Sequence, residues 1–339
     1  MTRILITGAT GSLGRRIVAR AVADGHTVLG THVRALDETA APLGNAPVPP
    51  DDGHPVNAAS PDVTTLPGAT AASSRDEPST AQDAQRRRPD EPATTAGAAS
   101  MTQGGVSMVR MDIRDVDAVR AVIGTFRPEI VIHAAAGRDR NDWPATADGA
   151  ANVAAASAGR ARLVHVSSDA IFSGRAGREY TEDDDPDPIY PYGAAKAAAE
   201  TAVRAIDPGA AVVRTSLILG DGNGAHERLT HDLAAGRVDG ALYTDEIRKP
   251  IHVDDLAAAL LELGLGEYRG VLNVAGADAV SRYELGVLVA RRDGLDVGRL
   301  RSATSAGRPG DLRLDIGRAE KILHTRLRGA HEFMAAPLG

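Results

Sequence analysis

The chain of 339 residues contains no cysteine. That excludes disulfides and thiolate zinc sites and suits a reducing compartment. No continuous run of about 18 apolar residues occurs, so no segment reads as membrane-spanning. A basic excess is missing too: 38 Lys and Arg face 45 Asp and Glu, a formal charge of −7, which leaves no broad cationic surface for nucleic acid. His226, His231 and His252 lack ligand spacing and there is no H-E-x-x-H, so no metal is expected. The amino terminus enters Arg3-Ile4-Leu5-Ile6-Thr7 without the pattern of a secretory signal. The expectation is a cytoplasmic protein without membrane or nucleic-acid partners.

One long stretch lacks something more specific. Between residues 36 and 105 there is no Phe, Trp or Tyr, and Pro, Ala, Thr, Asp and Gly dominate without apolar periodicity. Such a segment cannot bury enough surface to order itself, and it reads as a disordered insertion. Loop-closure entropy grows only logarithmically with length, so a surface insertion of this size is tolerable. Arg86, Arg87 and Arg88 are offset by Asp83, Asp90 and Glu91 and carry no targeting or nucleic-acid reading.

Around the insertion, strands alternate with helices. Ile4 to Thr7 is a short apolar run followed by T-G-A-T-G-S-L-G, after which Ile17, Val18, Ala21 and Val22 recur at helical spacing, giving strand, turn and helix. Gly8, Gly11 and Gly14 allow a tight turn and close approach of backbone to a pyrophosphate, with the helix amino terminus facing the anion. A plain turn is the alternative. Thr27 to Gly30 reads as the second strand, where NAD-binding versions of this arrangement place an acid for the ribose 2′-hydroxyl. Here Thr31, His32, Val33 and Arg34 follow. With Arg15, Arg16 and Arg34 available for a 2′-phosphate, NADP(H) is preferred over NAD(H), the alternative being that these arginines are simply solvated.

The alternation resumes with a strand at Ser107 to Met111 and a helix at Val116 to Thr125. A buried strand follows at Pro128 to Ala136, its small end residues Ala134, Ala135 and Ala136 leaving room for a flat ring or ribose. His133 reads as structural. Ala145 to Ala158 reads as helix, and Leu163 to Ser168 as a strand ending in hydroxyls. This is the pattern of a doubly wound parallel α/β sheet, a Rossmann domain, with ligands at the strands' carboxyl ends. Ala211 to Ser216 continues it, and Asp254 is expected to cap a further helix, a catalytic Asp being the alternative. The domain expectation is therefore residues 1–220 for dinucleotide binding, interrupted by 36–105. Residues 221–339 form a smaller, sequence-discontinuous substrate-binding α/β domain, with 240–275 returning to the first.

In Tyr190-Pro191-Tyr192-Gly193-Ala194-Ala195-Lys196 the i,i+4 spacing puts the Tyr192 phenol and the Lys196 ammonium on one helix face, where the cation can lower the phenol's pKa. That is an acid/base pair, or else a chance pair on a solvated face. Several motifs join it: the Gly turn, Asp112-Ile113-Arg114-Asp115, the strand ending in Ser167-Ser168-Asp169, and the acidic stretch Glu182 to Pro186. Together they resemble the extended short-chain dehydrogenase/reductases. Ser167 to Gly174 is similar to the S-T-D-x-V-F-x-G of dTDP-4-dehydrorhamnose reductases, and Tyr180-Thr181-Glu182-Asp183 and Arg308-Pro309-Gly310-Asp311 point the same way.

The resemblance implies a catalytic set of Ser168, Tyr192 and Lys196, with Ser where Thr is usual. Tyr190 is a competing phenol that lacks a Lys four residues on. Cofactor contacts are implied for Gly8, Gly11, Ser12, Leu13, Gly14, Arg34, Asp112, Ile113, Ala134, Ala135, Ala136, Tyr192 and Lys196. Ser168, Asp169, Arg248, Lys249 and Arg308 are candidates on the side of a nucleotide-sugar substrate, the three cations being equally readable as surface charges. The implied activity is NADPH-dependent reduction of a nucleotide-linked 4-keto-6-deoxy sugar, and a homodimer is compatible with the chain. One alternative is an epimerase or dehydratase; dehydratases carry Asp-Glu beside the catalytic hydroxyl, whereas Asp169-Ala170 stands here. The other is a non-catalytic cofactor-binding subunit like that of methionine adenosyltransferase.

Overall fold

The computed structural model describes residues 1–33, 101–103, 106–137, 139, 141–220, 222, 224–305 and 310–335. Arg34, Arg308 and nearly all of the 36–105 insertion lie outside these residues.

Strand β1, Arg3–Thr7, runs through the middle of the main sheet because Ile4, Leu5 and Ile6 are apolar on both faces and wholly buried. It leads through the Gly turn into α1, Ser12–Ala23, and then β2, Thr27–His32. A three-residue strand β3, Met101–Gln103, precedes β4, Val106–Arg110. Helix α2, Val116–Phe126, is capped by the Asp115 carboxylate, which accepts from the Asp117 and Ala118 N–H groups, and is followed by β5, Ile130–His133. Next come α3, Gly149–Ser157, β6, Arg162–Val166, α4, Pro191–Ile206, and β7, Ala211–Arg214.

The sheet order is β12-β7-β6-β5-β1-β2-β4-β3, where β12 is Gly270–Asn273. Seven strands are parallel and β3 pairs antiparallel to β4 at the edge. Ile6, Ile132, Val164 and Val213 pack against α1 and α6, Val253–Leu265, while Leu5, Val131, Leu163 and Val212 pack against α2, α3 and α4. Each such side chain contributes roughly 1.5–3 kcal/mol of burial. The chain leaves β1 toward β2 on one side and returns to β5 on the other, so a crevice opens at the carboxyl ends between these halves.

Three short ladders sit beyond β7. Strand β8, Ile218–Leu219, pairs with β11, Ile251–His252; β9, Leu242–Tyr243, with β14, Ser302–Ala303; and β10, Ile247–Arg248, with β13, Val280–Ser281. Helices α5, Ala225–Ala234, α7, Arg282–Arg292, and α9, Ala330–Ala335, close small apolar clusters there, while α8, Ala319–Ile322, adds Ala319 to the main core.

Three boundaries differ from the sequence reading. The expected insertion ends earlier, because Met101–Gln103 borrows backbone partners from β4 and needs no hydrophobic pattern of its own. The expected helix at Ala145 to Ala158 begins as a π-turn, Pro144–Asp148, before α3. Asp254 does not cap α6: the helix starts at Val253, so His252 holds the cap and its Nδ1 accepts from the Asp254 N–H at 3.2 Å. The Asp254 carboxylate lies 3.5 Å from Arg16, in the first turn where its charge suits the helix dipole.

Candidate active site

The Gly turn is built by contacts that exclude a side chain. Gly8 has φ +72°, and a Cβ there would stand 2.9 Å from the Ala135 Cα; a Cβ on Gly14 would stand 2.1 Å from the Gly8 carbonyl oxygen. These two glycines let α1 and the end of β5 close on the turn. Gly11 occupies the amino-terminal cap of α1 in extended geometry; no side chain caps the helix and no acid sits in its first turn. First-turn N–H groups have no intrahelical acceptor, so this end of α1 is suited to an anion.

Tyr192 and Lys196 ride on α4. The Lys196 side chain is buried and its Nζ donates to the Val166 carbonyl at 2.9 Å, tying α4 to the end of β6. Burial pulls its pKa down to about 8, against the opposing charge of Glu200. Glu200 is held in turn by Arg214 on β7, whose Nε and Nη2 donate to its carboxylate at 3.2 and 3.0 Å. Arg214 Nη1 also donates to the Glu182 and Asp184 carbonyls, each at 3.3 Å, so one buried guanidinium fixes α4, β7 and part of the loop that leads to Tyr192.

Ser168 follows β6. Its Oγ accepts from the Ala170 N–H at 3.2 Å and donates to Asp169 Oδ1 at 3.3 Å. Asp169 is itself buried and its Oδ2 accepts from Ser216 Oγ at 2.7 Å. Below these groups, His133 and His165 stack with centroids 5.2 Å apart, and Thr7 Oγ1 meets His133 Nδ1 at 2.7 Å. Burial, followed by the Lys196 charge, lowers the His133 pKa to about 3, and burial lowers His165 in the same direction.

A cleft of about 250 Å³ gathers most of the sequence candidates: Gly8, Gly11, Ser12, Leu13, Gly14, Ala134, Ala136, Ser168, Tyr192 and Lys196 all line it. Tyr190, the competing phenol, sits at the cap position of α4 and is 43% exposed. Ala135 backs the turn through its Cα and donates its N–H to Thr7 Oγ1. Asp112 and Ile113 stand outside the cleft lining. Arg114 binds the Asp112 carboxylate at 2.6 Å and holds its pKa below the usual range, and Ile113 is buried in the core.

Of the three cations expected on the side of a substrate, Arg248 and Lys249 are not solvated charges. Arg248 is buried, donates to the Ile247 and Gly310 carbonyls, and brings Nε within 3.9 Å of Asp169 Oδ2; Lys249 is buried against Glu179 at 3.2 Å. Arg15 Nη1 donates to the Thr10 carbonyl beside the turn, whereas Arg16 points to Asp254. Sequence reasoning missed Ser167, Thr215 and Ser216, which also line the cleft. A second pair of hydroxyls closing the next strand, Thr215-Ser216 after Ser167-Ser168, was the available signal. Among the described residues no group of three or more His, Asp or Glu stands together as a metal site, and no helix is long and apolar enough to cross a membrane.

The glycine cradle, the uncapped helix end and the small-residue strand end fit a dinucleotide. The chain is 34% identical over 232 residues to dTDP-4-dehydrorhamnose reductase of Mycolicibacterium smegmatis, covering 64% of this chain and 69% of that one. It is 29% identical over 239 residues to methionine adenosyltransferase 2 subunit beta of Xenopus laevis, covering 62% and 70%. The crystal structure of dTDP-4-dehydrorhamnose reductase from Bacillus anthracis in complex with NADP shares the fold, with a TM-score of 0.68 at 21% identity over 98% of this chain and 96% of that one. Residues 93–334 match the sequence profile of the RmlD substrate binding domain, which spans most of the chain including α4 and the Ser168 strand end. With that match extending from the edge of the main sheet to α9, the chain belongs to the RmlD substrate-binding-domain family.

Proposed function

We propose that the protein is an NAD(P)H-dependent reductase of a nucleotide-linked 4-keto-6-deoxy sugar. The observation that carries the reading is the single cleft shared by the Gly turn, Ser168, Tyr192 and Lys196; the likeness to the M. smegmatis reductase supports its substrate class. When bound, the reduced nicotinamide supplies hydride to the sugar's carbonyl carbon. Tyr192 donates its phenolic proton to the developing alkoxide. Lys196, one helical turn on, holds the nicotinamide ribose and lowers the phenol's pKa while it carries its proton. Ser168 orients the carbonyl oxygen, turning its hydroxyl from the long contact with Asp169 toward the substrate. NADPH is the proposed cofactor, because β2 ends in His32 with no acid and Arg15 flanks the turn. Residues beyond β7, with Arg248 and Lys249, form the substrate side, and 240–275 returns to the main sheet.

The test is to mix purified protein, NADPH and a dTDP-4-keto-6-deoxyhexose and follow cofactor oxidation. Turnover is expected, with Tyr192→Phe slower by about 10²–10⁴-fold while still binding cofactor. Near-normal turnover by that variant would remove Tyr192 from the mechanism. The similarity to a methionine adenosyltransferase beta subunit favours a second reading, a cofactor-binding partner protein. NADPH binding without turnover of any 4-keto nucleotide sugar would select it.

A further inference from the structure

A buried ammonium needs an opposite charge nearby, or it gives up its proton. Lys196 Nζ is buried on the Val166 carbonyl, which is uncharged, so its counter-charge must come from the elements packed around it. Helix α3, beside α4, carries no titratable side chain between Gly149 and Ser157. On β5 and β6, His133 and His165 are kept neutral by burial. Asp148 of the π-turn is exposed, and Asp169 is engaged by Ser168 and Ser216. On α4 itself Tyr192 is the group that Lys196 serves. Among the described residues of these elements that leaves Glu200, four positions after Lys196, 1% exposed and outside the cleft lining.

Two anchors bring Lys196 and Glu200 together. Their i,i+4 spacing puts both side chains on one face of α4, and both reach the same part of the sheet. Nζ meets the carbonyl of Val166, which pairs with Val213 across β6 and β7, and the Glu200 carboxylate meets Arg214, the residue after Val213. Adjacent strands lie about 4.8 Å apart, so ammonium and carboxylate stand over neighbouring positions of the sheet. We propose that Glu200 is a positioning residue for the reduction: acting through Lys196, its carboxylate keeps the ammonium charged one turn from Tyr192, and Arg214 fixes that carboxylate in place. The assignment rests on the reductase reading above and extends it to a residue behind the cleft wall.

The pH profile of kcat/KM with NADPH and a dTDP-4-keto-6-deoxyhexose tests the assignment. The parent is expected to show the Lys196 limb near pH 8. Without the carboxylate's charge the ammonium loses its proton more easily, so Glu200→Gln should move the limb to lower pH by about one unit, while Glu200→Asp, which keeps the charge, should hold it near the parent position. Should Glu200→Gln fail to fold, the double variant Arg214→Met, Glu200→Gln removes both buried charges and should show the same displacement. A purely structural role would lower kcat/KM at every pH and leave the limb in place, which overturns the proposal, as does an equal displacement in Glu200→Asp. Urea unfolding between pH 7 and 10 reads the same ionisation without turnover. With Lys196 at about 8 when folded and 10.5 when unfolded, the unfolded chain binds more protons in between, so stability rises with pH there relative to Lys196→Met, and Glu200→Gln should start that rise at lower pH. Absence of turnover by the parent would remove the reductase reading and the role in reduction with it; an unmoved unfolding profile would remove Glu200 as the counter-charge even where turnover is normal.

Discussion

Lys196 is the residue where burial and chemistry meet. Its pKa of about 8 means that the ammonium persists at neutral pH and is lost just above it. In the proposed mechanism the charged form assists Tyr192, so kcat/KM for carbonyl reduction is expected to fall through a limb near pH 8, and Lys196→Met should lose both most of the activity and the limb. A pH–rate profile of the two proteins checks this. The histidine stack predicts an acid effect on stability. Folded His133 takes a proton only near pH 3, whereas an unfolded histidine takes one near its usual 6.5. As pH falls through that window the unfolded chain binds more protons than the folded one, so stability present above about 6.5 is progressively lost, by at most about 1.4 kcal/mol per pH unit for each group. His165, with neither ring nitrogen bonded among the described residues, adds to the slope in the same direction. His165→Leu should unfold at an equal or higher denaturant midpoint at pH 7.5 and show a shallower decline toward pH 5; an unchanged slope would exclude His165 from the acid transition.

At the scale of elements, the turn between β1 and α1 separates packing from binding. A methyl on Gly14 collides with backbone of Gly8 and Ala9, while one on Gly11 meets only the Gly8 carbonyl at 3.3 Å. Gly14→Ala is therefore expected to lower both the melting temperature and cofactor affinity, whereas Gly11→Ala should leave the melting temperature nearly unchanged and weaken only the cofactor, as thermal unfolding paired with calorimetry would show. Helix α4 depends on a partner that local sequence does not reveal. Arg214 and Glu200 are both almost wholly buried, and Arg214→Met would strand the carboxylate in the core, at about 3–5 kcal/mol. Adding Glu200→Gln should recover a measurable part of that loss in urea unfolding, because the uncompensated charge is what is expensive. If the double variant is no more stable than the single one, the guanidinium's bonds to the Glu182 and Asp184 carbonyls dominate instead.

At the scale of the whole molecule, the 36–105 region interrupts a sheet whose other parts pair in parallel register. Removing residues 38–98 while keeping β3 should preserve the melting temperature and cofactor binding, since closure entropy changes only logarithmically with the length of a connection. Loss of folding would show that the segment packs. Much of the architecture was legible because it repeats local rules. Apolar runs on β1, β5 and β6 mark buried strands, the glycines mark the turn after β1, and Tyr192 and Lys196 share a face by helix geometry alone. The less local features were hidden. Helix α6 takes its cap from His252 because its first residue is decided by the β8–β11 ladder, and β3 exists because β4 offers an edge.

The order of these residue types along the chain by itself determined the α/β class, the Gly turn, the shared helix face of Tyr192 and Lys196 and the kinship that follows from them, because each depends on spacing within a few positions. Only the tertiary structure decided which phenol lines the cleft, that Arg248 and Lys249 are buried in ion contacts, and that Asp169 is occupied by two hydroxyls. Those facts arise where strands distant in sequence end side by side, and burial there sets which polar atoms are satisfied.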